Sequence, residues 1–135
     1  MTERTRFEPT ATAASTPFWE ATRDRRLVLQ WCLDCEAPVH FPRDMCPRCL
    51  GDRLEYRPAS GAGTVHTVVV EHKVPSPGGE EGPYAIALVD LDEGVRLMTN
   101  VVGVAPADVS IGMPVRVTWE PLSDGRHLPL FEPAT

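Results

Sequence analysis

Residues 31–72 read "WCLDCEAPVHFPRDMCPRCLGDRLEYRPASGAGTVHTVVVEH", and two unlike patterns meet in them. The first half sets cysteines in pairs, Cys32-Leu-Asp-Cys35 and Cys46-Pro-Arg-Cys49, with ten residues between the pairs. The second half is a β-branched run entered through Ser-Gly-Ala-Gly at residues 60–63. A cysteine cage thus runs directly into a long strand.

Two residues between thiols is the spacing of a tight turn that aims both sulfurs at one ion. Two such turns complete the tetrahedral, all-thiolate shell of structural Zn²⁺. The expected ligands of one zinc ion are therefore Cys32, Cys35, Cys46 and Cys49. With four protein ligands, no position stays open for water or substrate, so the ion is expected to hold structure and not to act as a Lewis acid. A rubredoxin-like iron site for electron transfer has the same shell. It places Gly directly after each pair, whereas Glu36 and Leu50 follow here and Gly51 comes one place late. Between Leu27 and Arg57 there are too few apolar residues for a core. Thiolate–zinc binding, on the order of 10–16 kcal/mol in small zinc peptides, is enough to order such a segment.

Downstream, the pattern is all β. "GTVHTVVVEH" predicts one long strand, with Gly61 and Gly63 freeing the backbone at its entry. "YAIALVDL" and "VRLMTNVVGV" flank a short "DEG" hairpin, "PVRVTWE" alternates with Val115, Val117 and Trp119 on one face, and "LPLFEP" closes the set. Five strands in so short a span suit a small closed barrel, of which the OB-fold is the five-stranded form. "APADVSIGM" is too short and Pro-broken for more than one helical turn.

Upstream, "LVLQWC" alternates, placing Leu27, Leu29 and Trp31 on one face of a half-buried strand. "STPFWEATRDRR" predicts a helix with Thr16 as N-cap, Pro17 at its first position and arginines near its end. Phe18 and Trp19 are expected to pack on the rest of the protein or to form a ligand or partner surface. Residues 1–15, rich in Thr, Ala and Pro, read as a flexible arm. The expected fold is mainly β, in four parts: arm 1–15, helix 16–26, zinc ribbon 27–58 and OB-fold barrel 59–135.

Net charge is −6 and unevenly placed. Residues 1–60 balance nine Arg against nine acidic groups, while residues 61–135 carry four basic and ten acidic side chains. An acidic barrel with only Tyr84, Trp119 and Phe131 as aromatics poorly meets the needs of single-strand nucleic-acid binding, a basic groove with stacking rings. No apolar run approaches the roughly 20 residues that cross a bilayer. The first residues lack the apolar segment of a signal peptide. A cytoplasmic setting, where thiols stay reduced, is expected.

No catalytic constellation emerges. His40, His66, His72 and His127 are scattered, with none spaced to pair with a nucleophile or carboxylate. Asp90, Asp92 and Glu93 read as solvated turn residues. "PSPGGEEGP" between two strands is long for a compact barrel, and serves as a lid, a docking loop or a loose tip.

The order of "FWEATRDRRLVLQWCLDC", "FPRDMCPRC", "SGAGTVHT", "YAIALVDLDEGVRLMT", "IGMPVRV" and "LFEP" resembles a known family. These are small bacterial and archaeal proteins in which a rubredoxin-like zinc ribbon precedes an OB-fold, long classed as a domain of unknown function and associated with acyl-CoA. The likeness spans about Pro17 to Pro133. It implies a non-catalytic accessory subunit that joins a thiolase-like enzyme, or a related acyl-CoA aldolase or hydratase, in a hetero-oligomer and helps hold the acyl-CoA thioester. The implied ligand path runs over helix and ribbon: Phe18 and Trp19 against the pantetheine or acyl chain, Arg23 or Arg43 near CoA phosphates. Pro42 and Arg43 match the family's Pro-Arg before the second cysteine pair. A nucleic-acid-binding ribbon and barrel is the competing reading.

Overall fold

The computed structural model describes residues 7–76 and 79–134, with backbone alone over 74–76 and 79–81. Residues 1–6 of the expected arm, and Pro77 and Gly78 of the expected loop, lie outside the described residues.

The N-terminal part is a helix, α1 (Thr16–Thr22), and a small antiparallel sheet. The sheet is ordered β2 (Ala37–Val39), β1 (Val28–Cys32), β3 (Leu54–Pro58). The N-cap of α1 is Ser15, one place before the expected Thr16. Thr12 and Ser15 exchange backbone-to-hydroxyl bonds of 2.8 and 3.2 Å just ahead of it. The helix also stops four residues short of the expected Arg26. Arg25 takes the left-handed conformation (φ 55°), and the N–H groups of Arg26 and Arg25 return to the carbonyls of Ala21 and Thr22. That is a Schellman stop with arginine in the position glycine normally fills.

Strand β1 was expected to bury one face, but Val28, Leu29, Gln30 and Cys32 are all buried. Leu27 and Leu29 enter the large core, whereas Cys32 packs with Val39 and Cys46 in a small one. Covered on both sides, β1 is the wall shared by ribbon and barrel.

The barrel closes in the order β10 (His127–Pro133), β8 (Arg96–Val101), β7 (Tyr84–Leu91), β4 (Ala62–Glu71), β9 (Pro114–Pro121). Ala85, Ala87, Val89 and Leu91 of β7 point inward, as do Leu97 and Val101 of β8, with Val65, Val115 and Phe131 completing the core. Gly63 permits a close approach, since a Cβ there would sit 2.7 Å from the Asp90 carbonyl oxygen. A register shift between Val65 and Thr67 leaves His66 at a bulge. The segment between β8 and β9 holds one 3₁₀ turn, Pro106–Asp108, the single turn expected there. The Gly- and Pro-rich loop after β4 carries a two-stranded ribbon, β5 (Val74–Ser76) with β6 (Gly79–Glu81).

One seam of the barrel is barely stitched. Strands β8 and β10 run parallel and pair only at Phe131↔Val101, with Val102 N–H donating to the Phe131 carbonyl. The same register would next bring Pro129 opposite Thr99, and proline has no N–H to donate. Two residues further back, the His127 N–H is already given to the Thr22 hydroxyl at 3.1 Å. The seam therefore opens toward α1.

Candidate functional site

The four cysteine sulfurs lie within 4.8 Å of one another. Cys32 and Cys49 Sγ are 3.6 Å apart, and Cys35 and Cys46 Sγ are 3.8 Å apart. Four sulfurs at the Zn–S distance of about 2.3 Å around a tetrahedron stand about 3.8 Å apart, so the cage fits one zinc ion. Backbone N–H groups of Cys35, Arg48 and Gly51 approach the sulfurs of Cys32, Cys46 and Cys49, each at 3.4 Å. Such donation favours thiolates. Glu36 (φ 52°) and Leu50 (φ 62°), directly after each pair, both take the left-handed conformation. The two turns thus share one left-handed backbone, built without glycine. The ion is one structural zinc.

The linker between the cysteine pairs is held by a side chain of β1. The Gln30 side chain, buried beside the cage, donates to the Arg43 carbonyl and accepts from the Arg43 N–H, both at 2.8 Å. This clamp fixes the Arg43 backbone, next in the chain to His40, Phe41 and Pro42, which line a groove together with residues of α1 and the barrel. Nothing in the sequence pattern marks Gln30 beyond being a polar residue inside an apolar strand.

Between these parts lies a mostly apolar groove of about 720 Å³, a volume within the range of small-ligand sites. It is walled by Phe18 and Trp19 of α1, His40, Phe41 and Pro42 of the linker, and the open seam at Met98 and Pro129. Phe41 and Met98 are 65% and 70% exposed, unusual for large apolar side chains. A second hollow of about 310 Å³ continues along the same seam, past Tyr84 and Ile86.

Of the residues predicted for a ligand path, Phe18, Trp19 and Pro42 are brought to this groove. Phe18 is nearly buried and meets Trp19 edge to face at 5.0 Å. Arg43 is exposed and stands close enough for its guanidinium to act on His40. Burial, and then Arg43, hold the His40 pKa down at about 4, so the imidazole is neutral at pH 7. Arg23 is committed elsewhere, to Glu20 at 3.1 Å and to the Asp124 carbonyl at 2.6 Å, where it ties α1 to the β9–β10 turn. His40, Phe41 and Met98 were missed as site residues, because only the folded chain brings linker and seam together.

The described part of the expected flexible arm is tied down. Ser123 donates to Glu8 through both its N–H and its hydroxyl, Arg126 donates to the Pro9 carbonyl, and Tyr56 to that of Ala14. His66 was expected to lack a carboxylate partner, but β4–β7 pairing sets it 3.5 Å from Asp90, which Arg96 also grips at 2.7 Å. Arg96 holds the Asp90 carboxyl below its ordinary range. Glu93 is likewise no free turn residue, since it accepts from the Ser60 N–H at 2.7 Å. His127 is structural, its Nδ1 lying 2.8 Å from the Thr22 carbonyl, which makes that nitrogen the donor.

Two family descriptions match adjoining stretches of this chain, together residues 19–120. "ChsH2, rubredoxin-like zinc ribbon domain" covers residues 19–55, and "ChsH2, C-terminal OB-fold domain" covers 56–120. A probable enoyl-CoA hydratase alpha subunit of Thermomonospora curvata is 44% identical over 118 residues, 87% of this chain and 37% of its own length. This chain therefore spans little more than a third of that relative. A DUF35 domain-containing scaffold protein of Methanocaldococcus jannaschii is 32% identical over 117 residues, 76% of this chain and 82% of its own. A solved structure described as "Ltp2-ChsH2(DUF35) aldolase" superposes with a TM-score of 0.85 at 40% identity, over 95% of this chain and all of that one. Cage, barrel, their order and these matches agree: the chain belongs to the DUF35 family of ChsH2-type zinc-ribbon and OB-fold proteins.

Proposed function

We propose that this chain is a non-catalytic accessory subunit that joins an acyl-CoA enzyme and helps hold the acyl-CoA thioester at their common site. The observation that carries this reading is the groove of about 720 Å³ where helix, ribbon linker and barrel meet. The similar proteins bear the names of an enoyl-CoA hydratase alpha subunit, a scaffold protein and an aldolase. The partner is an aldolase, hydratase or thiolase-like enzyme, and the assembly is a hetero-oligomer.

The geometry supports a division of labour. Zinc orders the ribbon, the Gln30 clamp sets the linker, and the linker supplies Phe41 and Pro42 as one wall of the groove. Trp19 supplies the opposite wall, and the indole is backed by the Arg126 guanidinium 5.4 Å from the ring centre. Arg43, exposed, next in the chain to the groove's Pro42 and with no ion-pair partner among the described residues, is the residue assigned to a CoA phosphate. Among the described residues, no helix is long and apolar enough to cross a membrane.

The test is a tagged pull-down from the native host, with co-purifying chains identified by mass. A near-stoichiometric acyl-CoA enzyme is the expected result. Nucleic acid released by high salt, with no such enzyme, would overturn the reading in favour of a nucleic-acid module. In the assembled complex, Arg43→Ala should weaken CoA-thioester binding about tenfold while zinc content stays at one per chain.

A further inference from the structure

The open seam has a chemistry of its own. In a strand, backbone groups two residues apart point the same way. The Val102 N–H points to β10, so the N–H and carbonyl of Met98, four residues back, point there as well. Parallel pairing would bring the residue-129 N–H to the Met98 carbonyl, and Pro129 cannot supply it. The Pro129 carbonyl meanwhile accepts from the Thr99 hydroxyl at 3.3 Å, so its own edge is occupied. What remains is an apolar slot, lined by Met98, Leu128 and Pro129, with one strand carbonyl deprived of its ladder donor.

His40 adds a second polar group to the same groove. Its ring is half-buried against Phe41, with centroids 4.4 Å apart. It makes no hydrogen bond or ion pair among the described residues. A neutral imidazole offers one donor and one acceptor. No Lys or Arg side chain lines the groove, so the slot suits an uncharged section of a ligand and leaves phosphates to the rim.

We infer that the β8–β10 seam is the slot for the pantetheine arm of the thioester, with the Met98 carbonyl accepting from an arm amide N–H and His40 as the second polar contact. The inference rests on the reading that this chain holds acyl-CoA. The arm is neutral, linear and carries two amides, so it can take the place of the missing stretch of strand ladder.

Pro129→Ala is the informative variant, because it restores the N–H that lets the ladder zip shut. It is expected to melt no lower than the parent and to bind ligand at least about tenfold more weakly. His40→Ala should weaken binding by a similar factor, and His40→Asn, which keeps a donor and an acceptor, by less. The measurement is calorimetric titration of the zinc-loaded complex with octanoyl-CoA and with S-octanoyl-pantetheine, which lacks the nucleotide. Binding of both probes, weakened alike by Pro129→Ala, supports the slot. Unchanged affinity in Pro129→Ala, or binding of octanoyl-CoA without binding of the pantetheine probe, overturns the slot but leaves the accessory-subunit reading standing. If the parent complex binds neither probe, both fall.

Discussion

The ribbon and the barrel reach order by different physics. In the barrel, inward residues from all five strands form one core around a fully buried Phe131. In the ribbon, the buried cluster is Cys32, Val39 and Cys46, two of them metal ligands. Burying apolar area at about 25 cal/mol per Å² orders the first, whereas the second has almost nothing to bury and depends on an ion. The two share β1, whose Leu29 faces the barrel core and whose Cys32 faces the cage. The groove lies where these two differently stabilised halves meet, so its shape depends on both.

The comparison breaks if both halves respond alike to loss of metal. Cys46→Ser, or chelation, should remove on the order of 10 kcal/mol from the ribbon. Hydrogen exchange would show amides of β1, β2 and β3 losing protection while those of β4 and β7 keep it. Barrel amides exchanging just as fast would mean that the barrel cannot stand without its shared wall.

The converse is Phe131→Ala, expected to cost about 3–5 kcal/mol by opening a cavity in the barrel core. Thermal melting measures the loss, and metal analysis below the transition should still find one zinc per chain. Lost zinc would show that the cage leans on the barrel more than its own thiolates imply.

Acid sharpens the comparison at the groove. The folded His40 pKa of about 4 lies below the ordinary value of 6.5, so between these values the unfolded chain binds the extra proton. Stability is thus fully present above the unfolded value and falls as pH drops toward the folded one. Between about pH 7.5 and 5.5, His40→Gln should flatten this fall by on the order of 1 kcal/mol, the half-exposed ring being partly screened. Urea midpoints at the two pH values report it, and equal slopes in parent and variant would sink it.

The smallest effect is a gain. Arg25 holds a left-handed conformation that disfavours side chains, so Arg25→Gly should stabilise the helix stop by about 1 kcal/mol, seen as a rise in Tm. A fall instead would show that the Arg25 side chain contributes more than its backbone strain costs.

Much of the architecture was legible because it rests on local rules. Cysteine spacing names a tetrahedral cage, and alternation in "YAIALVDL" names inward Ala85, Ala87 and Val89. The helix was legible at its start and not at its end. The start carries Pro17, which pre-sets a backbone angle, while the stop is made by an arginine doing what glycine usually does. The backbone of the turns after the cysteine pairs stayed hidden for the same reason, since Glu36 and Leu50 bear left-handed angles that their residue types do not announce.

The metal ligands and the order of elements follow from the sequence alone, because neighbours in the chain suffice to fix them. Only the tertiary structure decided the groove. Whether Met98 faces solvent or an open seam depends on Pro129, 31 positions away, and on Thr22 claiming the His127 N–H across 105. Whether His40 stands in water or among apolar walls depends on Gln30 gripping the Arg43 backbone. These are pairings between distant segments, and a single sequence carries no period or spacing that announces them.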